Sequence, residues 1–269
     1  MKNILSNSKL TITVLTENVA GGRFGAEHGL SYLIEHDNQK ILFDTGHSDL
    51  FIRNAKMLGY NLDSDVDTVV LSHGHWDHGD GLQHISGKTL VTHPSSFIKR
   101  YRKTDHSYIG LSLKKEELER RFNLIVSKEP YRISDRIIFL GEITRINDFE
   151  SQTTTFVVES GTPDFVPDDS AIAIKIGGEL VVVTGCSHSG ICNIVEYAME
   201  VSGIRKVKAV VGGFHLKHNN LQTKKTIEYL RSLNIEHVHP SHCTELPAMA
   251  AFYDEFNIEQ LKTGRVFTF

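Results

Sequence analysis

The chain has little of what marks secreted, membrane-embedded or disulfide-stabilised proteins. Only one of its 269 residues is tryptophan, and only three are cysteine, namely Cys186, Cys192 and Cys243. An odd number of cysteines without a short paired spacing argues against a disulfide framework and fits a reducing compartment. No apolar run approaches the ~18 residues of a membrane span, and residues 1–10 lack the apolar core of a secretion signal. We therefore expect a cytoplasmic protein that does not enter a membrane.

An excess of charge of one sign is also missing. The net charge is −4 with histidine neutral, and no basic stripe is present, so electrostatics give no reason to expect a nucleic-acid partner. The hydrophobic fraction of 40% and the charged fraction of 23% are typical of a globular protein. Because the sequence shows no repeat, low-complexity tract or linker rich in Pro or Ser, we expect residues 1–269 to form a single domain.

Histidine, by contrast, is abundant, with 15 residues in the chain. The densest group lies in segment 71–81, L-S-H-G-H-W-D-H-G-D-G, where the pattern H-x-H-x-D-H is formed by His73, His75, Asp77 and His78. Residues 66–71 before it are apolar and mostly β-branched, which predicts a buried strand, and the glycines after it predict a turn into a helix. The motif should therefore leave the carboxyl end of a strand, where open α/β sheets usually place their chemistry.

The spacing of this motif suits two metal ions. Zinc and iron accept imidazole nitrogen and carboxylate oxygen at about 2 Å. His73 and His75 can converge on one ion, whereas Asp77 and His78 are adjacent, so that their side chains diverge and can serve a second ion. Two ions about 3.5–4 Å apart can hold a hydroxide and clamp a leaving oxygen. A surface loop that binds metal adventitiously is the alternative, and the buried strand before the motif argues against it.

The motif follows I-L-F-D-T-G at residues 41–46, and together these stretches resemble the metallo-β-lactamase fold superfamily. Five further stretches are similar to the subgroup related to the dihydropterin ribofuranosylaminobenzene-phosphate synthases of methanopterin biosynthesis. They are A-E-H-G-L-S (26–31), V-P-D-D (166–169), T-G-C-S-H-S-G-I (184–191), G-G-F-H-L (212–216) and S-H-C-T (241–244). The alternation of strands and helices in two runs, each with antiparallel hairpins, likewise predicts an α/β protein with a four-layer αββα sandwich.

The sequence departs from the superfamily at two positions. Segment 162–170 reads T-P-D-F-V-P-D-D-S where lactonase-like relatives carry T-P-G-H-T-P-G-H, so their ligand histidine falls on Phe165, which cannot bind a metal. Asp169 is one candidate substitute and His188 the better one, although His188 could equally be a histidine without function at a helix start. Cys186 stands where most of the superfamily has a bridging aspartate. A thiolate can bind zinc or iron, whereas a buried cysteine is more often an apolar filler.

The resemblance and the motif together predict a dinuclear centre. His73, His75 and His188 would hold one ion, Asp77, His78 and His242 the other, and Cys186 or a hydroxide would lie between them. Two divalent ions are expected, with zinc preferred over iron or manganese. Asp44 either accepts a ring N–H from a ligating histidine or caps a helix. His215 follows Gly212 and Gly213, which allow the backbone to approach a ligand, and is either a proton donor or a structural histidine.

Three further stretches are candidates for the surroundings of the site. The glycine-rich segment 19–29 carries Arg23, Glu27 and His28 and is predicted to be a flap, with a surface loop as the alternative. Lys99 and Arg100 could meet an anionic substrate or lie on a solvated helix face. Segment 104–113 is polar and aperiodic, and in this family such insertions cover the site or mediate contacts in a homodimer.

The leading functional hypothesis is a metal-dependent hydrolase in which a metal-bound water attacks a phosphoester or a similar ester or anhydride. Asp77 and His215 would assist proton transfer, and the substrate would be a small, anionic molecule. One alternative is the transferase implied by the subgroup, which joins a dihydropterin methyl diphosphate to an aminobenzene ribose phosphate. The other is a metal or redox binding protein without turnover. One residue argues against a redox role. The flavin-partnered di-iron branch of the superfamily has an acidic residue at the second histidine of the motif, where this chain has His75.

Overall fold

The computed structural model describes residues 9–269, which contain fifteen strands and seven α-helices. The strands are β1 (Thr11–Thr16), β2 (Ser31–His36), β3 (Gln39–Phe43), β4 (Thr68–Val70), β5 (Thr89–Thr92), β6 (Arg100–Arg102), β7 (Asn123–Val126), β8 (Tyr131–Arg132), β9 (Ile137–Phe139), β10 (Phe156–Val158), β11 (Ala171–Ile176), β12 (Glu179–Thr184), β13 (Val207–Gly213), β14 (His237–Ser241) and β15 (Val266–Thr268). The helices are α1 (Leu50–Met57), α2 (Leu62–Asp65), α3 (Trp76–Gly79), α4 (Lys115–Arg121), α5 (Ile191–Ser202), α6 (Leu221–Ser232) and α7 (Leu246–Phe256).

Two large sheets contain most of the strands. The first has the order β15-β1-β2-β3-β4-β5-β7 and the second the order β14-β13-β12-β11-β9-β8, while β6 and β10 form a separate pair. Both predicted hairpins are present, because β2 pairs with β3 and β11 with β12 in antiparallel register. Next to each hairpin the sheet becomes parallel, through β3-β4-β5 and through β12-β13-β14.

The side chains of the central strands alternate between two apolar layers, as strand geometry requires. In β12, Val181 and Val183 pack in the layer between the two sheets, whereas Leu180 and Val182 pack outward against the helices. In the first sheet, Phe43 lies in the same inner layer and Leu42 packs outward with residues of α1. Helices therefore cover both outer faces of two sheets packed face to face, and the predicted α/β fold with an αββα sandwich is confirmed.

Several element boundaries differ from the sequence expectations. The strand expected at 66–71 is only Thr68–Val70, and the following helix begins inside the motif at Trp76 rather than after its glycines. The sequence of residues 132–141 also predicts one strand, which the structure divides into Tyr131–Arg132 and Ile137–Phe139. None of the helices within residues 9–269 has the length and apolar character needed to cross a bilayer. The predictions of a single domain over 1–269 and of no secretion signal in 1–10 include residues 1–8, which lie outside the described residues.

Arg100 is not on a solvated helix face, and it does not meet a substrate. It lies in β6, fully buried, with Nε 2.9 Å from Asp164 Oδ2 and one guanidinium nitrogen 2.7 Å from Asp168 Oδ1. Asp168 Oδ2 also accepts a hydrogen bond from the backbone N–H of Gly74, at 2.7 Å. The buried cation thus joins segment 162–170 to the backbone of the H-x-H-x-D-H loop. Lys99 next to it is exposed and pairs with Glu159 at 2.8 Å.

Replacing Arg100 by Ala should lower the free energy of unfolding by about 3–5 kcal/mol, because two buried carboxylates would lose their counter-ion. Denaturant unfolding in the presence of a chelator measures this without a contribution from bound metal. The matched control is Lys99→Ala, which removes a solvent-screened pair and should leave the unfolding midpoint unchanged. Equal midpoints for the two variants would show that the Arg100 pairs do not stabilise the fold.

Candidate metal centre

The predicted ligands lie on loops that leave the carboxyl ends of neighbouring strands. The H-x-H-x-D-H loop follows β4, the segment with Cys186 and His188 follows β12, His215 follows β13, and His242 follows β14. Strands β12, β13 and β14 are parallel neighbours, and the sandwich brings the end of β4 to the same edge. Residues more than a hundred positions apart in the sequence therefore meet at one edge of the two sheets.

His73, His75 and His188 form the first group of potential ligands. One ligand atom from each lies within 4.8 Å of the others, and His73 Nε2 is 3.0 Å from His75 Nδ1. The Nε2 atoms of His75 and His188 are buried and have no hydrogen-bond partner among residues 9–269. Unpaired polar atoms are rare in protein interiors, and an ion bound by all three rings would give one nitrogen of each ring a partner. This is the set predicted for the first ion.

The second group is centred on His242. Its Nε2 atom lies 3.1 Å from His78 Nε2 and 3.4 Å from Asp77 Oδ2, so the three residues predicted for the second ion are in contact. His28, from the predicted flap, joins them with Nε2 at 3.2 Å from Asp77 Oδ2. The sequence indicated His28 only through the resemblance and did not include it among the ligands, because a lone histidine in a glycine-rich loop has no spacing that predicts its contacts.

Cys186 lies between these two groups. Its Sγ atom is 3.2 Å from His78 Nε2, and one atom each of His73, His78 and Cys186 lie within 4.8 Å of one another. The thiol is buried, and burial raises its pKa well above the usual value. A metal ion beside it would favour the thiolate, since ligating cysteines are deprotonated.

The protonation of the site suits cations. Burial lowers the pKa values of His73, His75 and His188 well below the usual range, so these rings are neutral and keep a lone pair for a metal. Burial alone would raise the pKa of Asp77, but His78 and hydrogen bonds from His242 and His28 hold it well below its usual value. A carboxylate and several neutral imidazoles converging in one buried cluster fit divalent ions.

Asp44 fixes the orientation of the ligand histidines from behind. Its Oδ2 atom lies 2.7 Å from His78 Nδ1 and accepts a hydrogen bond of 2.7 Å from Ser72 Oγ, which is in turn 2.9 Å from His73 Nδ1. With Nδ1 held as the donor, Nε2 of His78 faces the cluster. Burial lowers the pKa of His78, but the carboxylates of Asp44 and Asp77 outweigh this effect and raise the pKa to about 9. The predicted contact is confirmed, and the alternative of a helix cap is wrong, because α1 has Asp49 at its N-cap.

His188 lies in one ligand group with His73 and His75, whereas Asp169 belongs to none of the groups found within residues 9–269. Phe165 is 38% exposed and does not belong to any of the ligand groups of residues 9–269. Asp169 is buried, but its Oδ2 atom accepts a hydrogen bond of 2.9 Å from the backbone N–H of Ser189. The Asp169 carboxylate thereby holds the loop that carries His188. Its pKa is raised to about 6 by burial.

Gly212 and Gly213 pack closely against the last residue of β12, the residue after it and Cys243. A Cβ atom on Gly212 would come within 2.0 Å of the Thr184 carbonyl oxygen, and one on Gly213 within 2.6 Å of Cys243 Sγ. His215 follows with φ +50, and its ring lies 4.3 Å from that of His188 between centroids.

Beside the cluster is a cavity of about 580 Å³. Thr104 and Ile109 line it, so segment 104–113 does reach the site, whereas Arg23 of the predicted flap contacts the Met57 carbonyl at the surface. Arg102 and Lys217 also line the cavity, and neither side chain forms an ion pair or hydrogen bond within the part of the chain that the structure describes. Two exposed cationic side chains therefore border the same cavity as the histidine cluster.

Comparison with known proteins identifies the family. A family model described as the metallo-beta-lactamase superfamily matches residues 24–242, from the flap to the last histidine of the cluster. The chain belongs to the metallo-β-lactamase superfamily. The metallo-β-lactamase model thus includes every predicted ligand, and the resemblance seen in the sequence is confirmed.

Three metallo-β-lactamase relatives match over almost the whole chain. An uncharacterized protein of Methanocaldococcus jannaschii is 35% identical over 264 residues, which cover 95% of this chain and 98% of the relative. The 7,8-dihydropterin-6-methyl-4-(beta-D-ribofuranosyl)-aminobenzene-5'-phosphate synthase of the same organism is 34% identical over 295 residues, covering 100% of both chains. A crystal structure described as that of Tm1679, a metal-dependent hydrolase of the beta-lactamase superfamily, has a TM-score of 0.85 and 32% identity, covering 96% of this chain and 98% of that one.

Replacing His188 by Ala should reduce the zinc that this metallo-β-lactamase chain retains, because the first group would keep only two imidazoles. The measurement is elemental analysis after dialysis against a weak chelator. Phe165→Ala is the matched control, since Phe165 occupies the superfamily's ligand position but lies outside the cluster, and it should retain the native content. Equal zinc in both variants would contradict the role given to His188.

Proposed function

We propose that the protein is a metal-dependent hydrolase that uses a dinuclear site to cleave a phosphoester or a similar ester or anhydride of a small, anionic molecule. The observation that carries the proposal is the convergence of two ligand groups on one cavity that Arg102 and Lys217 also line. A structural metal site is normally closed by protein ligands, whereas a catalytic one keeps open positions facing a cavity.

The contacts support one ligand set for each of the two ions. His73, His75 and His188 would hold one ion and Asp77, His78 and His242 the other, with Cys186 between them and zinc the preferred metal. Such ions, when bound, lower the pKa of a bound water towards 7 and polarise the bond to be broken. The imidazoles that burial keeps neutral are suited to the first set.

The residues that move protons would be Asp77 and His215. Asp77 Oδ2 lies 3.2 Å from His28 Nε2 and 3.4 Å from His242 Nε2, at the wall of the cavity, where it can orient a water molecule and accept its proton. His215 lines the same cavity beside His188 and can donate a ring N–H to the leaving oxygen. The carboxylate and the imidazole would thus serve opposite steps of one hydrolysis.

The substrate would be anionic because of Arg102 and Lys217. Both side chains are exposed at the cavity wall beside the ligand groups, and neither forms an ion pair within the described chain. Guanidinium and ammonium groups are the usual partners of phosphate. The cations therefore favour a phosphate-containing substrate over a neutral ester.

A transferase is the second candidate, favoured by the full-length similarity to the dihydropterin synthase at 34% identity. A smaller cavity of about 260 Å³ adjoins the first and shares His188, His215 and Lys217 with it, which leaves room for a second reactant. Incubation with a dihydropterin methyl diphosphate and an aminobenzene ribose phosphate separates the candidates. Pyrophosphate released only when both compounds are present supports the transferase.

Replacing Asp77 by Ala should lower kcat/KM for a generic phosphodiester by about 10²–10⁴-fold, the usual contribution of a group that handles a proton, or by more if an ion is lost. The measurement is hydrolysis of bis(p-nitrophenyl) phosphate by the zinc-loaded protein. The control is His237→Ala, which removes an exposed histidine on β14 away from the cluster. Unchanged hydrolysis by the Asp77 variant would remove the basis for the proposal.

Replacing Arg102 or Lys217 by Ala should raise KM for anionic phosphoesters by about tenfold or more, since a hydrogen bond to a charged group is worth ~1.5–3 kcal/mol. The KM for a neutral ester such as p-nitrophenyl acetate should stay the same. Lys99→Ala, which removes a cation outside the cavity, serves as the control for net charge. Equal increases in KM for the anionic and the neutral substrates would show that these residues support the fold and do not select an anion.

A further inference from the structure

Two cysteines and a histidine beside the cluster form a third group of potential ligands. One ligand atom each from Cys186, His215 and Cys243 lies within 4.8 Å of the others. The three residues follow the carboxyl ends of β12, β13 and β14, so three parallel strands supply one side chain each. The sequence did not indicate this group, because the two cysteines are 57 positions apart and do not share a ligand spacing.

The backbone around this group is held in conformations that bring the side chains together. His215 has φ +50 and His242, which precedes Cys243, has φ +51. Such conformations cost about 1–3 kcal/mol for residues other than glycine and persist where the surroundings impose them, often at functional sites. Gly213 leaves the space that Cys243 Sγ occupies, since a Cβ atom there would lie 2.6 Å from the sulfur.

The environment of Cys186 and Cys243 differs from that of a cysteine that only fills a core. Cys192 provides the comparison within this chain, because it lies in α5 among the apolar residues of the outer layer. Cys186 and Cys243 instead line the cavity of about 580 Å³ together with His215, and all three cysteines are free thiols. Nδ1 of His215 is buried and has no hydrogen-bond partner within residues 9–269.

We propose that Cys186, Cys243 and His215 form a separate, sulfur-rich metal position that binds a thiophilic divalent cation such as zinc. Two sulfurs and one imidazole are a common zinc ligand set, and they leave a fourth position directed at the cavity. Binding displaces the two thiol protons to solvent, while the neutral imidazole ligates through one nitrogen and keeps an N–H on the other. Because Cys186 also contacts His78, this ion would lie beside the histidine cluster and share that thiolate.

Cobalt(II) titration of the metal-free, reduced protein tests this position without any measurement of hydrolysis. Cobalt bound to thiolate gives intense near-ultraviolet absorption that imidazole and carboxylate ligands do not give. We expect Cys243→Ser to lose about half of this absorption and to bind one cobalt ion fewer per chain, since one of two thiolate ligands is removed. His215→Ala should also bind one cobalt ion fewer, and Cys192→Ser should match the native protein.

One pair of results would contradict the proposal. If Cys243→Ser keeps the native absorption and cobalt stoichiometry while Cys186→Ser loses the whole absorption, the only sulfur ligand is Cys186 and the separate position does not exist. Circular dichroism of each metal-free variant verifies that it is folded, and Cys243→Ala replaces Cys243→Ser if the hydroxyl disturbs packing. This test does not use phosphodiester hydrolysis. The sulfur-rich metal position could therefore be confirmed even if the proposed hydrolase function were wrong.

Discussion

The buried carboxylate of Asp44 is the interaction on which the geometry of the site depends. It accepts the backbone N–H and the hydroxyl of Ser72 and lies 2.7 Å from His78 Nδ1, so that one side chain fixes the first and last parts of the H-x-H-x-D-H loop. Asp168 holds the middle of the same loop through the N–H of Gly74. Two carboxylates, one directly after β3 and one shortly before β11, therefore hold the loop and with it the orientation of the histidines.

This arrangement explains how so many imidazoles can lie close together. Several neutral rings with facing lone pairs gain nothing from one another, and their polar atoms are costly to bury without partners. The carboxylates behind them and the packing of the sandwich hold them in place before any ion binds. Stability of the surrounding fold, including the Arg100 ion pairs, thus supports a local arrangement that is unfavourable in itself, as is common at functional sites.

Most of the fold could be predicted because its signals are local. The continuous apolar run of β12, the turns between hairpin strands and the apolar run before His73 are each formed by residues close together in the sequence. Arg100 could not be predicted, since its burial depends on two aspartates more than sixty positions later. His28 was underestimated for the same reason, because only tertiary contacts bring it to Asp77. His188 was predicted by a different route, as a substitute for a ligand that Phe165 cannot supply.

The two relatives from Methanocaldococcus jannaschii are about equally similar to this chain, at 35% and 34% identity, and only one of them has a named activity. Overall identity therefore does not select a substrate. In the proposed reactions the ions held by the histidine cluster would meet only the reacting group, which an ester, an anhydride or a diphosphate could each supply. Selection has to come from the rest of the cavity wall, where Arg102 and Lys217 are on segments outside the ligand motifs. Loops on such walls can change without disturbing the carboxylates that hold the cluster, which is how one scaffold supports different reactions.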